Sequence, residues 1–158
     1  MRKILSAIML FGVLLMTGLQ AFADDAAEAK AFFESYVNAA NNYSPTIEQM
    51  YSPNAKIIRQ GGKPDGGLVD VKTDTATYMK QLKLGQAGAK LRHYKNNYSN
   101  ITVTKVGDGY KVSSLRQPSG ETYKLKTYMI VKKQPNGKWL ITEEMMQTKQ
   151  QVFLKYAK

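Results

Sequence analysis

The chain has one histidine, no cysteine and 12 acidic residues against 23 basic ones. That inventory narrows the chemistry at once. Without a thiolate there is no disulfide, no thiol nucleophile and no cysteine-ligated zinc. The single imidazole, His93 in "RHYKNNY", has no second histidine or acid beside it, so no metal site and no cofactor is expected. What remains is proton transfer and binding. Glu143 is the carboxylate candidate: among apolar neighbours desolvation would raise its pKa and make it a general acid or base. Set against that is a Glu at a wet rim or paired with a lysine. His93 is the other candidate, as the side chain that titrates near neutrality unperturbed, against an exposed strand histidine.

Binding candidates come from ten tyrosines and eight methionines. Tyr36, Tyr78 and Tyr123 could line a pocket with apolar rings and polar tips. Met129 and Met145 could do the same, since methionine fills irregular gaps and adaptable surfaces alike. Plain core packing is the competing reading for each. A lysine stripe, Lys124, Lys126 and Lys132, offers weak attraction to anionic surfaces, but it lacks the arginines and stacked aromatics of a nucleic-acid reader and suits a solvated strand face.

The elements that would position these residues are legible in the spacing. Asp25 and Glu28 have capping-box spacing, and Ala29, Phe32, Phe33, Tyr36, Val37 and Ala40 recur at helical intervals up to Asn41-Asn42. Ser44 then caps a short helix with Pro45 at its first position, and Pro53 turns the chain toward the strand "AKIIRQ". "GGKPDGG" at 61–67 is a turn, with no Gly-Lys-Ser/Thr sequence to make it a phosphate cradle. A third helix begins at Thr73 or Asp74, places Thr75, Tyr78, Met79 and Leu82 on one side, and is expected to close at Gly85. Four strands follow, near 92–106, 110–117, 121–134 and 138–149, an antiparallel meander broken by "GDG", "PSG" and "PNG".

The last turn sets the register. A three-residue Pro135-Asn136-Gly137 loop places proline where its fixed φ is wanted and glycine in the left-handed position. It pairs Lys133 with Trp139, Val131 with Ile141, Met129 with Glu143, Thr127 with Met145 and Leu125 with Gln147, on one mostly apolar face. The lysine stripe falls on the opposite face. Along the strand at 110–117, Tyr110 and Val112 conflict in parity with Leu115 unless a bulge intervenes.

Residues 1–23 read as a secretory signal peptide: Arg2 and Lys3, an apolar run from Ile4 to Met16, and an Ala21-Phe22-Ala23 cleavage site. The expected mature chain, 24–158, is one domain, secreted or periplasmic. Its net charge falls from +11 to +9 with the two leader cations removed, and such a balance favours anionic partners, while export argues against nucleic acid.

A long helix, a short capped helix, a strand, a third helix and a meander closing on "NGKWLI", with Phe32-Phe33 and the Tyr51–Ala55 turn, resembles the NTF2-like (SnoaL-like, cystatin-like) superfamily. The resemblance implies an α+β fold in which a curved antiparallel sheet wraps around the N-terminal helices to form a cone, often with a pocket at its wide end. The resemblance implies that those enzymes of the family that do acid–base work bring an inward histidine together with an inward Asp or Glu, a pairing that only His93 and Glu143 could imitate here. It sets a shape rather than a reaction. Three readings follow: a non-catalytic binder of a small, partly apolar ligand; an isomerase, dehydratase or hydrolase using Glu143, with or without His93; and an interaction module forming a homodimer through its sheet.

Overall fold

A computed structural model describes residues 23–150; the expected leader, apart from Ala23, lies outside the described residues. Helix α1 spans 23–41. It buries Ala29, Phe33 and Tyr36, spaced to share one face. Asp25 and Glu28 lie within it rather than capping it, and both bind Lys133 Nζ, at 3.2 and 2.8 Å. A short 3-10 helix, Pro45–Met50, follows with Ser44 accepting from Thr46 N. Next come β1 (Tyr51–Gly62), β2 (Leu68–Thr73) and α2 (Thr75–Leu91). The chain then forms β3 (Asn96–Val106), β4 (Gly109–Pro118), β5 (Leu125–Lys133) and β6 (Trp139–Thr148).

The six strands form one sheet in the order β2-β1-β6-β5-β4-β3. β3 to β6 are the expected meander, and β1 joins it parallel to β6. Register shifts in β1 after Tyr51, in β3 after Ser99 and in β6 after Ile141 bend the sheet, because an extra residue on one strand kinks it and increases its twist. The concave face closes on α1 and α2 over a core that includes Phe33, Ile57, Val112, Met129, Val131 and Ile141. This is the α+β cone.

Both helices leave through the same device. Ser44 N donates to Ala39 O and Tyr43 N to Ala40 O; likewise Tyr94 N donates to Ala89 O and His93 N to Lys90 O. These are Schellman motifs, and the residues in their left-handed positions are Tyr43 (φ 56°) and His93 (φ 50°), where glycine is usual. α2 therefore runs past Gly85 to Leu91, correcting the expected stop. An interior glycine costs a helix only about 1 kcal/mol, which packing against β1 overrides.

Candidate ligand-binding site

The three-residue Pro135-Asn136-Gly137 loop forms as expected, closed by Gln134 N donating to Lys138 O, with Gly137 at φ 80° and Lys133 opposite Trp139. The Trp139 side faces inward: Val131 and Ile141 are fully buried. Beyond Ile141 the pairing departs from expectation. Val131 faces Ile141 but Ile130 faces Glu143, leaving Thr142 as an extra residue. Met129 therefore faces Glu144 rather than Glu143, and every later residue of β6 exchanges faces relative to the expected register.

The consequence is a buried polar cluster. Glu144 has no exposed surface. On the adjoining parallel strand Ile57 is its Cα partner, and Arg59, two residues on, reaches the same face. Arg59 Nη1 lies 2.8 Å from Glu144 Oε1. The other carboxylate oxygen accepts a short hydrogen bond from the Tyr51 hydroxyl and one of 3.3 Å from Tyr36. Tyr78 stacks above, with the Arg59 guanidinium 5.0 Å from its ring centre and the Tyr51 ring edge-on at 5.5 Å. Burial works against the Arg59 charge, but the Glu144 carboxylate and the surrounding Tyr78, Tyr51 and Tyr36 together outweigh it, so the guanidinium is held protonated more firmly than in water. Burial, reinforced by the same carboxylate, pushes the Tyr36 and Tyr51 phenols well above the ordinary tyrosine range.

Beside this cluster lies a cavity of about 350 Å³ between α1, α2 and the concave sheet. Its walls include Tyr36, Tyr78, Tyr98, Leu82 and Met146, together with Gly85 and Ala89, whose small size keeps the α2 wall recessed. Arg116 enters from β4. It is only 8% exposed and donates to Asn96 Oδ1 at 2.8 Å and to Gln147 O at 2.9 Å. Asn96 is itself pinned to the end of α1, exchanging hydrogen bonds of 2.9 Å with Asn41. Among the described residues, no Asp, Glu or His lines the cavity.

The expected site residues divide. Tyr36 and Tyr78 line the cavity. Met129 is packed solid in the core. Tyr123 precedes β5, under the Lys149 ammonium at 3.8 Å, and does not line the cavity. The bulge carries Met145 to the outer face, where it lines a groove with Leu115 and Tyr128, and gives its inner place to Met146. Glu143 is likewise outside, accepting from Tyr128 at 2.7 Å and 3.9 Å from Lys56 Nζ. His93 is exposed in the turn after α2, not in a strand. The structure thus places His93 in an exposed turn at the end of α2 and Glu143 on the outer face of β6.

Arg59, Glu144, Tyr51, Tyr98 and Arg116 escaped the sequence reading. For Arg116 a signal was present: β4 has no bulge against β5, so the parity of Tyr110 and Val112 continues through Ser114 to Arg116, and Leu115 simply faces out. No glycine or proline in "ITEEM" betrays the bulge at Thr142.

Neither a protein-family model nor any curated protein matches the sequence. Solved structures do. An NTF2-like protein of unknown function from Pseudomonas putida matches with a TM-score of 0.61 at 15% identity, over 86% of this chain and 94% of that one. An NTF2-like protein with a cystatin-like fold from Novosphingobium aromaticivorans gives 0.61 at 11% identity, over 89% and 94%. Nuclear transport factor 2 from Cryptosporidium parvum gives 0.55 at 11% identity, over 75% and 90%. At these identities the likeness speaks to fold rather than activity. With the curved sheet closed on its helices, these matches show that the chain has the NTF2-like fold.

Proposed function

We propose that this is an exported NTF2-like domain that holds a small, partly apolar ligand in its cone without turning it over. The observation that carries the reading is the engagement of Glu144. The buried carboxylate of the concave face is taken up by Arg59, Tyr51 and Tyr36 and forms no part of the cavity wall. A general base needs a free lone pair within reach of the substrate, whereas the walls here offer aromatic and apolar surface with a few fixed donors, the composition of a binding site. Export rests on Arg2, Lys3, the apolar run and Ala21-Phe22-Ala23.

A second reading as an enzyme has one specific support: Tyr36 is both in the wall and hydrogen-bonded to Glu144, which could relay a proton. The third, a homodimer through the outer face, draws on the half-buried Leu115, Ile130 and Met145 there. Native mass spectrometry of the purified protein separates them. A co-purifying small molecule is expected. A clean dimer without ligand, and without thermal shift across a lipid and metabolite panel, would remove the pocket reading. Chemical conversion of the captured molecule by the wild type but not by Tyr36→Phe would replace binder by enzyme.

A further inference from the structure

We infer that the ligand carries a single carboxylate, seated against Arg116 at one end of the cavity with its apolar body along Tyr78, Leu82 and Met146. This rests on the pocket reading above and names the chemistry the pocket selects. Charge points there first. Two guanidinium groups line the cavity, and Glu144 neutralises Arg59. Arg116 faces only neutral acceptors among the described residues: Asn96 Oδ1, Gln147 O and, at 3.5 Å, the Tyr94 hydroxyl. An unneutralised cation kept from water is a costly arrangement, and a bound anion relieves it.

Donor geometry points the same way. A guanidinium offers five N–H groups. The three bonds to Asn96, Tyr94 and Gln147 leave others unused, and Nε is buried with no acceptor among the described residues. The Tyr43 hydroxyl, from another residue of the same cavity, is also buried without a partner among them. Carboxylate oxygens match the planar fork of an arginine in pairs. One unneutralised cation, with aromatic and apolar walls around it, suits a monoanion with an organic body better than a phosphate dianion. The volume, about 350 Å³, lies at the lower end of the roughly 300–1,000 Å³ typical of small-molecule sites, so the body is compact.

Titration of the purified protein with phenylacetate, with its neutral isostere phenylacetamide and with inorganic phosphate, followed by NMR, tests this. Phenylacetate is expected to bind about tenfold or more tighter than the amide, the effect of a charge-assisted contact. Arg116→Gln should abolish the preference while keeping amide binding, and Arg116→Lys should restore part of it. If Arg116→Gln fails to fold, the wild-type acid-to-amide ratio and Arg116→Lys decide. Equal affinity for acid and amide would overturn the carboxylate assignment and leave the pocket reading intact. Phosphate binding alone would overturn it too. Absence of binding by both organic probes, with no response to the wider panel, would overturn the pocket itself.

Discussion

Arg59 and Glu144 sit on neighbouring parallel strands with Nη1 and Oε1 2.8 Å apart, and Glu144 is wholly buried. Such a pair contributes modestly against an apolar replacement, but breaking one side of it strands the other charge. Glu144→Gln should therefore cost about 3 kcal/mol, and lower Tm by roughly 6–12 °C for a domain of this size. Glu144→Met combined with Arg59→Met should recover most of the loss. Denaturant melts of the two variants beside wild type check this, and a Glu144→Gln protein as stable as wild type would show that the pair does not support the cone.

Two buried phenols should respond in opposite directions to loss of their hydroxyl. Tyr51 donates to the Glu144 carboxylate, so Tyr51→Phe removes a charge-assisted bond and should destabilise by about 1.5–3 kcal/mol. The Tyr43 hydroxyl has no partner among the described residues, so Tyr43→Phe should be neutral or stabilising by up to about 1 kcal/mol in the ligand-free protein. Paired chemical melts would expose the reverse order, which the cluster geometry forbids.

Alkaline pH should dismantle the same cluster. Burial and the Glu144 charge raise the Tyr36 and Tyr51 phenols in the folded state, so above the ordinary tyrosine pKa of about 10 the unfolded chain loses protons that the folded one keeps. Their contribution is complete below that pH and falls by up to about 1.4 kcal/mol per pH unit for each as pH rises beyond it. Phenolate absorbance from these two should emerge together with loss of the near-ultraviolet circular dichroism. Smooth titration in a still-folded protein would contradict their placement.

His93 should prove a backbone residue. It fills the left-handed position that ends α2 and is exposed. Replacing it with glycine relieves a strain of about 1–2 kcal/mol and loosens the unfolded chain, leaving a net gain of about 0.5 kcal/mol. His93→Gly is thus predicted to melt at or slightly above wild type and to bind ligand unchanged. A large loss of binding would return His93 to the site.

The fold was legible because its determinants are local. Ser44-Pro45 starts a helix for steric and hydrogen-bonding reasons, and Pro135-Asn136-Gly137 admits one register at its loop. The site was less so. Its polarity is set by one residue, Thr142, whose insertion turns Glu144 and Met146 inward and Glu143 and Met145 outward. Thr142 has no conformational signature of its own; the bulge is imposed where β6 must pair with β5 on one edge and the irregular β1 on the other. Arg116 was readable by parity, but a lone arginine in a strand invites an outward assignment until its partners Asn96 and Gln147 are known.

Adjacent methionines on opposite faces provide the most direct test of the account. Met146 lines the cavity and Met145 the outer groove. With methyl-labelled methionine, titration of phenylacetate is predicted to shift the Met146 methyl resonance saturably and leave Met145 in place. A saturable shift of Met145 with Met146 unmoved would put the binding surface on the outside of the sheet and contradict the cone as the site.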